Sequence, residues 1–196
     1  MMPRLLSLLV LPLFCLLSRC CRERAAFRAD VEAWCRWRGL PLRRRNACML
    51  FVQDKAFRAL FFYRLGPLRR LLSWLLPTYD HLQIPMPPGT VGGGLVIQHG
   101  FATIISARHI GRNCKVYQQV TIGYDHRLQA PTLGDNVEVC CGAKVIGGIR
   151  VGSNVLIGAG AVVTRDVPPN SVVAGVPARV IGKLRPEEDI FNRGTH

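Results

Sequence analysis

The run VIGGIRVGSNVLIGAGAVV, residues 145–163, sets Val145, Val151, Ile157 and Val163 six positions apart. An α-helix needs apolar residues at intervals of three and four, and a half-buried strand needs alternation. Each glycine in the run would also cost a helix about 1 kcal/mol. A six-residue period is the mark of a solenoid in which every short strand ends in a turn.

Working outward, the same interval links Leu133, Val139 and Val145, then Ile110, Val116 and Ile122, then Val91 and Ile97. Glycine follows the aliphatic residue at 92, 111, 123, 134, 152 and 158, and is expected to accept a turn conformation that a β-carbon would strain. Three hexads close a triangular coil of about eighteen residues, and some four coils stack their aliphatics inward at the spacing of neighbouring strands, about 4.8 Å. The chain from 164 to 176, with Pro168 and Pro169, is expected to leave the last coil as a loop, with a tail segment beyond Arg179.

Two breaks interrupt the period: one extra residue between Ile97 and Ile110, and five between Ile122 and Leu133. Insertions in a solenoid loop out at its corners and build binding sites there. Both segments are polar and carry histidine, His99 in the first and His126 in the second.

Before residue 80 the pattern is helical. Phe27, Val31, Trp34 and Cys35 mark an amphipathic helix over 22–38, ended by Gly39 and Pro41. Asn46 is expected to cap a second helix running through Phe62–Arg64 and stopped by Gly66–Pro67, and a short Leu/Arg helix is expected from Leu68 to Leu76. The aromatics Phe57, Phe61, Phe62, Tyr63 and Trp74 read as core or helix-docking surface rather than as a ligand cage. The expected organisation is an apolar extension over 1–21, a helical region over 22–80, a solenoid domain over 81–183 and a tail over 184–196.

The 196 residues carry 26 bases against 12 acids, a net charge of +14. Residues 1–80 hold 15 bases and 5 acids; the rest hold 11 and 7. No zinc-finger spacing, recognition helix or aromatic RNA-binding strand accompanies that charge, which sets nucleic acid aside. Arginines beside leucines on helices suit a membrane or partner surface instead. Eight cysteines without a CxxC pair, and without histidines placed to complete a zinc set, read as free thiols of a reducing compartment, with no metal. Residues 5–17, LLSLLVLPLFCLL, are too short to span a bilayer comfortably, contain Pro12 and precede no small-residue cleavage site. The expectation is a cytoplasmic protein with peripheral membrane contact through this N-terminal segment.

The stretch from about Leu82 to Lys183 resembles the hexapeptide-repeat acyltransferases, and within them the short serine O-acetyltransferases. IPMPPGTVGGGLVIQHG (84–100), VTIGYD (120–125), FRALFFYRLG (57–66) and the run from Cys141 to Lys183, with its AGVPAR ending, carry the likeness. It implies an all-β solenoid, a left-handed parallel β-helix, behind an N-terminal α-helical segment. It implies a homotrimer, and acetyl transfer from acetyl-CoA, as co-substrate, to the hydroxyl of L-serine. A sugar of a cell-surface or exopolysaccharide precursor is the alternative acceptor, and a solenoid without catalysis is the alternative of a different class.

The resemblance makes His99 the catalytic histidine. The residues agree: His99 follows Ile97 by two places, where a side chain can leave the prism wall, and an imidazole suits a general base taking a hydroxyl proton. An aspartate that orients the ring in the family falls here at Ile84, and a loop histidine falls at Ala130, ahead of Pro131; Asp125 and His126 are the candidates to stand in. The coenzyme arm is implied to lie against Gly123, Gly142, Ala143, Ala159 and Gly160, whose small side chains admit a thin amide-bearing chain, with Thr121 at its end. Arg179 and Lys183 are the implied phosphate partners.

Overall fold

The structure, a computed structural model, describes residues 2–68, 78–79 and 81–185. The helix expected over 68–76, past its first residue, and Trp74 lie outside that set, as does the tail beyond Arg185.

The six-residue period resolves into a triangular prism with three parallel faces. The first face stacks β1 (Leu82–Gln83), β3 (Thr103–Ile105), β6 (Thr121–Gly123), β9 (Lys144–Ile146) and β12 (Val162–Val163). The second stacks β4 (His109–Ile110), β7 (Thr132–Leu133) and β10 (Arg150–Val151). The third stacks β2 (Val96–Ile97), β5 (Lys115–Val116), β8 (Val137–Val139), β11 (Val155–Ile157) and β13 (Ser171–Ala174). Antiparallel β14 (Arg179–Lys183) closes the third face. All eleven aliphatic positions of the repeat are buried, and each contributes roughly 1.5–3 kcal/mol by leaving water. Ile105 is a twelfth rung, fully buried and in register with Ile122. The extra residue before Ile110 is therefore two residues gained between Ile97 and Ile105 and one lost after it.

The repeat glycines do a different job from the one their sequence suggests. None of Gly92, Gly111, Gly123, Gly134, Gly152 and Gly158 has a positive φ. The left-handed turn residues between the second and third faces are Asn113, Asn136, Asn154 and Asn170, with φ of 55° to 57°, a conformation asparagine adopts more readily than most residues. Glycine is required two positions earlier because the next coil lies directly on it. A β-carbon on Gly111 would come within 2.4 Å of the Gly134 carbonyl, and one on Gly152 within 2.5 Å of the Pro169 nitrogen.

Asn154, which the sequence places at a tolerant corner, is buried and donates through Nδ2 to Asn170 Oδ1 at 2.8 Å and to the Arg185 carbonyl at 3.1 Å. Asn154→Asp would set a carboxylate against both oxygens. It is expected to cost about 1–3 kcal/mol, read as a fall in Tm, and an unchanged Tm would contradict the ladder.

The C-terminal end also departs from expectation. Residues 164–176 do not leave as a loop: Val167 bridges to Val151, and β13 pairs with β11, so a partial fifth coil forms before β14 turns back.

Helices α1 (Met2–Arg19), α2 (Arg24–Trp37), α3 (Arg44–Gln53) and α4 (Lys55–Leu65) pack together, and α2 and α4 meet the start of the prism at β2. One helix was expected over α3 and α4. Asp54 divides them, its Oδ1 accepting the N–H groups of Ala56 and Phe57, while Asn46 lies inside α3 and donates to the Pro41 carbonyl. Phe14 of α1 packs on Phe27, Phe51 and Phe61, with ring centroids 5.4–6.3 Å apart, and Val10, Leu11 and Leu17 pack on the same core. Buried Arg64 ties helices to prism. It donates to Asp30, Glu23 and the carbonyls of Val91 and Gly92, while Asp30 accepts the N–H groups of Gly94 and Leu95. Complete burial pushes the Asp30 carboxyl up to about 6, the Arg64 guanidinium pulling against it. Trp34 Nε1 adds a bond to the Leu95 carbonyl at 2.9 Å.

Candidate active site

The corner between the third and first faces is built differently from the asparagine corner. Gln119, Gly142 and Gly160 occupy its left-handed positions, with φ of 60°, 72° and 66°. Its rungs are bonded in column: Gln119 N–H to the Phe101 carbonyl, Gly142 N–H to that of Gln118, and Gly160 N–H to that of Cys141. A β-carbon on Gly142 would meet nothing nearer than Gly160 at 3.8 Å, and one on Gly160 would meet nothing within 4 Å. These two glycines form an open ledge of bare backbone rather than a packed turn.

His99 stands at the foot of this column, exposed, with φ of 64°. The inserted residues Gln98–Ala102 lift it out of the wall, and Ala102 is left-handed as well, with φ of 48°. A non-glycine residue held in that region signals a backbone constrained by its surroundings, common where a side chain must be aimed. The side chain that meets the imidazole is Gln98, whose Nε2 lies 3.5 Å from His99 Nε2. Sequence reasoning sought a carboxylate upstream and passed over the adjacent amide. Ile84, at the position sought, is half-buried and packs on the core.

Asp125 and His126 are not at this corner. They belong to the loop between β6 and β7, at the corner of the first and second faces, with the full width of the first face between them and His99. Asp125 Oδ1 accepts the N–H groups of Arg127 and Gln129, both at 2.9 Å. The Gln129 N–H first, then that of Arg127 and the charges of His126 and Arg127, hold its carboxyl below the ordinary range. Asp125 thus shapes its own loop, while His126 is exposed and Ala130 buried.

The arm-binding candidates divide likewise. Gly142, Ala159 and Gly160 line the ledge. Thr121 lies beside it at the start of β6, its N–H bonded to the Ala143 carbonyl at 3.0 Å. Ala143 points inward and is fully buried, so it offers the ledge backbone only. Gly123, at the far end of β6, is paired with Ile146, and its carbonyl accepts the Gly147 N–H. Arg179 pairs with Ala174 at the top of the same corner, whereas Lys183 pairs with Ser171, four residues or about 13 Å along β14.

Two further features of the corner lay outside the sequence reading. Lys144 Nζ donates to the Gln119 carbonyl at 2.7 Å, steadying the second rung. On the adjoining outer surface of the third face, Lys115 and Glu138 are buried and 3.5 Å apart, and Tyr117 donates its hydroxyl to Glu138 Oε1 at 2.9 Å. Burial and the Glu138 charge push the Tyr117 phenol up. Among the described residues no disulfide joins any of the eight cysteines. Burial first, then the charge of Glu138, pushes the Cys140 thiol up to about 11, so it holds little thiolate at neutral pH.

Residues 130–165 match the family model described as bacterial transferase hexapeptide (six repeats). The serine acetyltransferase of Synechococcus elongatus is 44% identical over 126 residues, covering 62% of this chain and 51% of the relative. The serine acetyltransferase of Neisseria gonorrhoeae, solved in complex with serine, superposes with a TM-score of 0.65 at 28% identity, over 79% of this chain and 67% of that one. Soybean serine acetyltransferase complexed with serine superposes with a TM-score of 0.61 at 28% identity, over 81% and 69%. The chain spans about half the length of the curated relatives it matches. Coils, ledge and matches agree: residues 130–165 carry the bacterial transferase hexapeptide repeat, and the chain is similar to serine acetyltransferases in sequence and in fold.

Proposed function

We propose that the protein is an acetyl-CoA-dependent O-acetyltransferase and that L-serine is its acceptor. The observation that carries this reading is His99, exposed in a left-handed conformation at the foot of the bare ledge of Gly142 and Gly160. The imidazole takes the acceptor's hydroxyl proton as that oxygen attacks the thioester carbonyl; the carbon–sulfur bond breaks, and the coenzyme thiolate receives the proton back from the ring. The pantetheine arm, lying along the ledge, reaches His99 from above, with Arg179 at the phosphate end. Gln98 acts as the positioning residue that limits rotation of the ring. The serine complexes of the Neisseria gonorrhoeae and soybean enzymes support the acceptor.

A second reading, a sugar hydroxyl of a polysaccharide precursor, is favoured by Ile84 and Ala130, which put apolar side chains where the resemblance places polar groups on the acceptor side. Release of coenzyme A with L-serine and with a panel of sugars separates the two. Serine-dependent release carries the first, sugar-dependent release alone carries the second, and release with neither overturns both.

The split between the two corners supports the homotrimer that the resemblance implies. A neighbouring prism can bring its loop 124–131 against the His99 corner, which one copy cannot do. Sedimentation equilibrium is expected to give three times the chain mass, and a monomer at working concentration would remove the shared site. Asp125→Asn is then expected to lower kcat about tenfold, less than loss of His99, and His126→Ala to act mainly on the acceptor KM.

A further inference from the structure

We propose that the helical region carries a docking site for an anionic phospholipid surface, formed where α1, α2 and α3 meet. A cavity of about 520 Å³ opens there, with Phe14, Phe27 and Val31 among its lining. Around it stand Arg19 at the end of α1, Arg24 and Arg28 on α2, and Arg43 and Arg44 at the start of α3. Glu32 is the one acidic residue lining the cavity, and it is already engaged by Arg28 at 3.1 Å. All five arginines are exposed. Leu42, also in the lining, is more than half exposed.

This combination selects the occupant. A nucleic acid would use the arginines but has no need of an apolar cavity lined by Phe14, Phe27, Val31 and Leu42. A second copy docking through the same face would bring the same five cations against these, which like-charge repulsion opposes. A leaflet with acidic headgroups satisfies both halves: phosphates meet the guanidinium rim while acyl chain and the Leu42 side chain share the apolar interior. No helix among the described residues is long and apolar enough to cross a membrane; the proposed contact is with the surface of one leaflet.

The inference is independent of the acetyl-transfer reading, because the cavity lies on the helices and the ledge on the prism. The test is co-sedimentation of the full chain with vesicles of phosphatidylcholine alone, and of phosphatidylcholine mixed with phosphatidylglycerol, with and without added salt and inorganic phosphate. Binding is expected for the mixed vesicles only, weakening as salt rises. Arg43→Ser with Arg44→Ser is expected to reduce it by about tenfold or more, and Leu42→Ser by a smaller factor. The exposed positions leave Tm, and coenzyme A release with the soluble acceptor, unchanged. Equal binding to both vesicle types, none to either, or full binding by the double arginine variant would overturn the proposal. So would loss of self-association, in place of vesicle binding, in that variant.

Discussion

His99→Ala is expected to lower kcat by roughly 10²–10⁴ while leaving acetyl-CoA affinity nearly unchanged. The ring stands at the foot of the corner column, about two coil spacings or ~10 Å below Gly142, so its removal takes the proton acceptor without disturbing the ledge. Its backbone strain makes a second variant useful. His99→Asn keeps a residue tolerant of positive φ and should match the alanine variant in kcat while preserving Tm. Gln98→Ala is expected to fall between, with a smaller loss in kcat and little change in acetyl-CoA affinity, as suits a group that holds the ring rather than reacting. Steady-state kinetics on the three variants decides it. A His99→Ala enzyme with more than half the wild-type kcat would overturn the general-base assignment and bring His126 or His109 into consideration.

Ile157→Asp is expected to unfold the prism. Its side chain is fully buried between Val139 and Val173 of the coils on either side, in a stack without a polar partner for a carboxylate. An unpaired charge there costs several kcal/mol, about as much as the whole stability of many domains. Val151→Asp, on the second face, should act alike, whereas Val180→Asp on β14, half exposed, should change Tm little. Thermal unfolding followed by circular dichroism checks the contrast, and equal Tm values for the three variants would contradict the inward assignment.

What pointed inward was legible, because period alone decides it: every sixth aliphatic faces the axis whatever surrounds it. What happens at the corners was not, because a corner residue answers to the coil stacked on it. Gly111 and Gly152 read as turn formers, yet they are glycine because a carbonyl and a proline nitrogen lie where a β-carbon would be. The asparagines that make the turn sit two positions later, and the recurring Gly-x-Asn at 111–113, 134–136 and 152–154 was the available signal. Ile105 was missed because the insertion that presents His99 also shifts its own rung by two. The bond from Arg64 to Asp30 joins residues 34 apart, a pairing no local pattern announces. The structure sets His99 exposed with Gln98 beside its ring, a neighbour that a search for an upstream carboxylate passes over, and Asp125 accepts the N–H groups of its own loop.

The central claim is that one prism corner holds the coenzyme and the base together. A crystal structure of the protein with coenzyme A tests it most directly. The account predicts the pantetheine arm against Gly142 and Gly160, its phosphates toward Arg179 and its thiol within reach of His99. Coenzyme A held instead at the asparagine corner or among the arginines of the helical cavity, with the Gly142–Gly160 ledge bare, would contradict it.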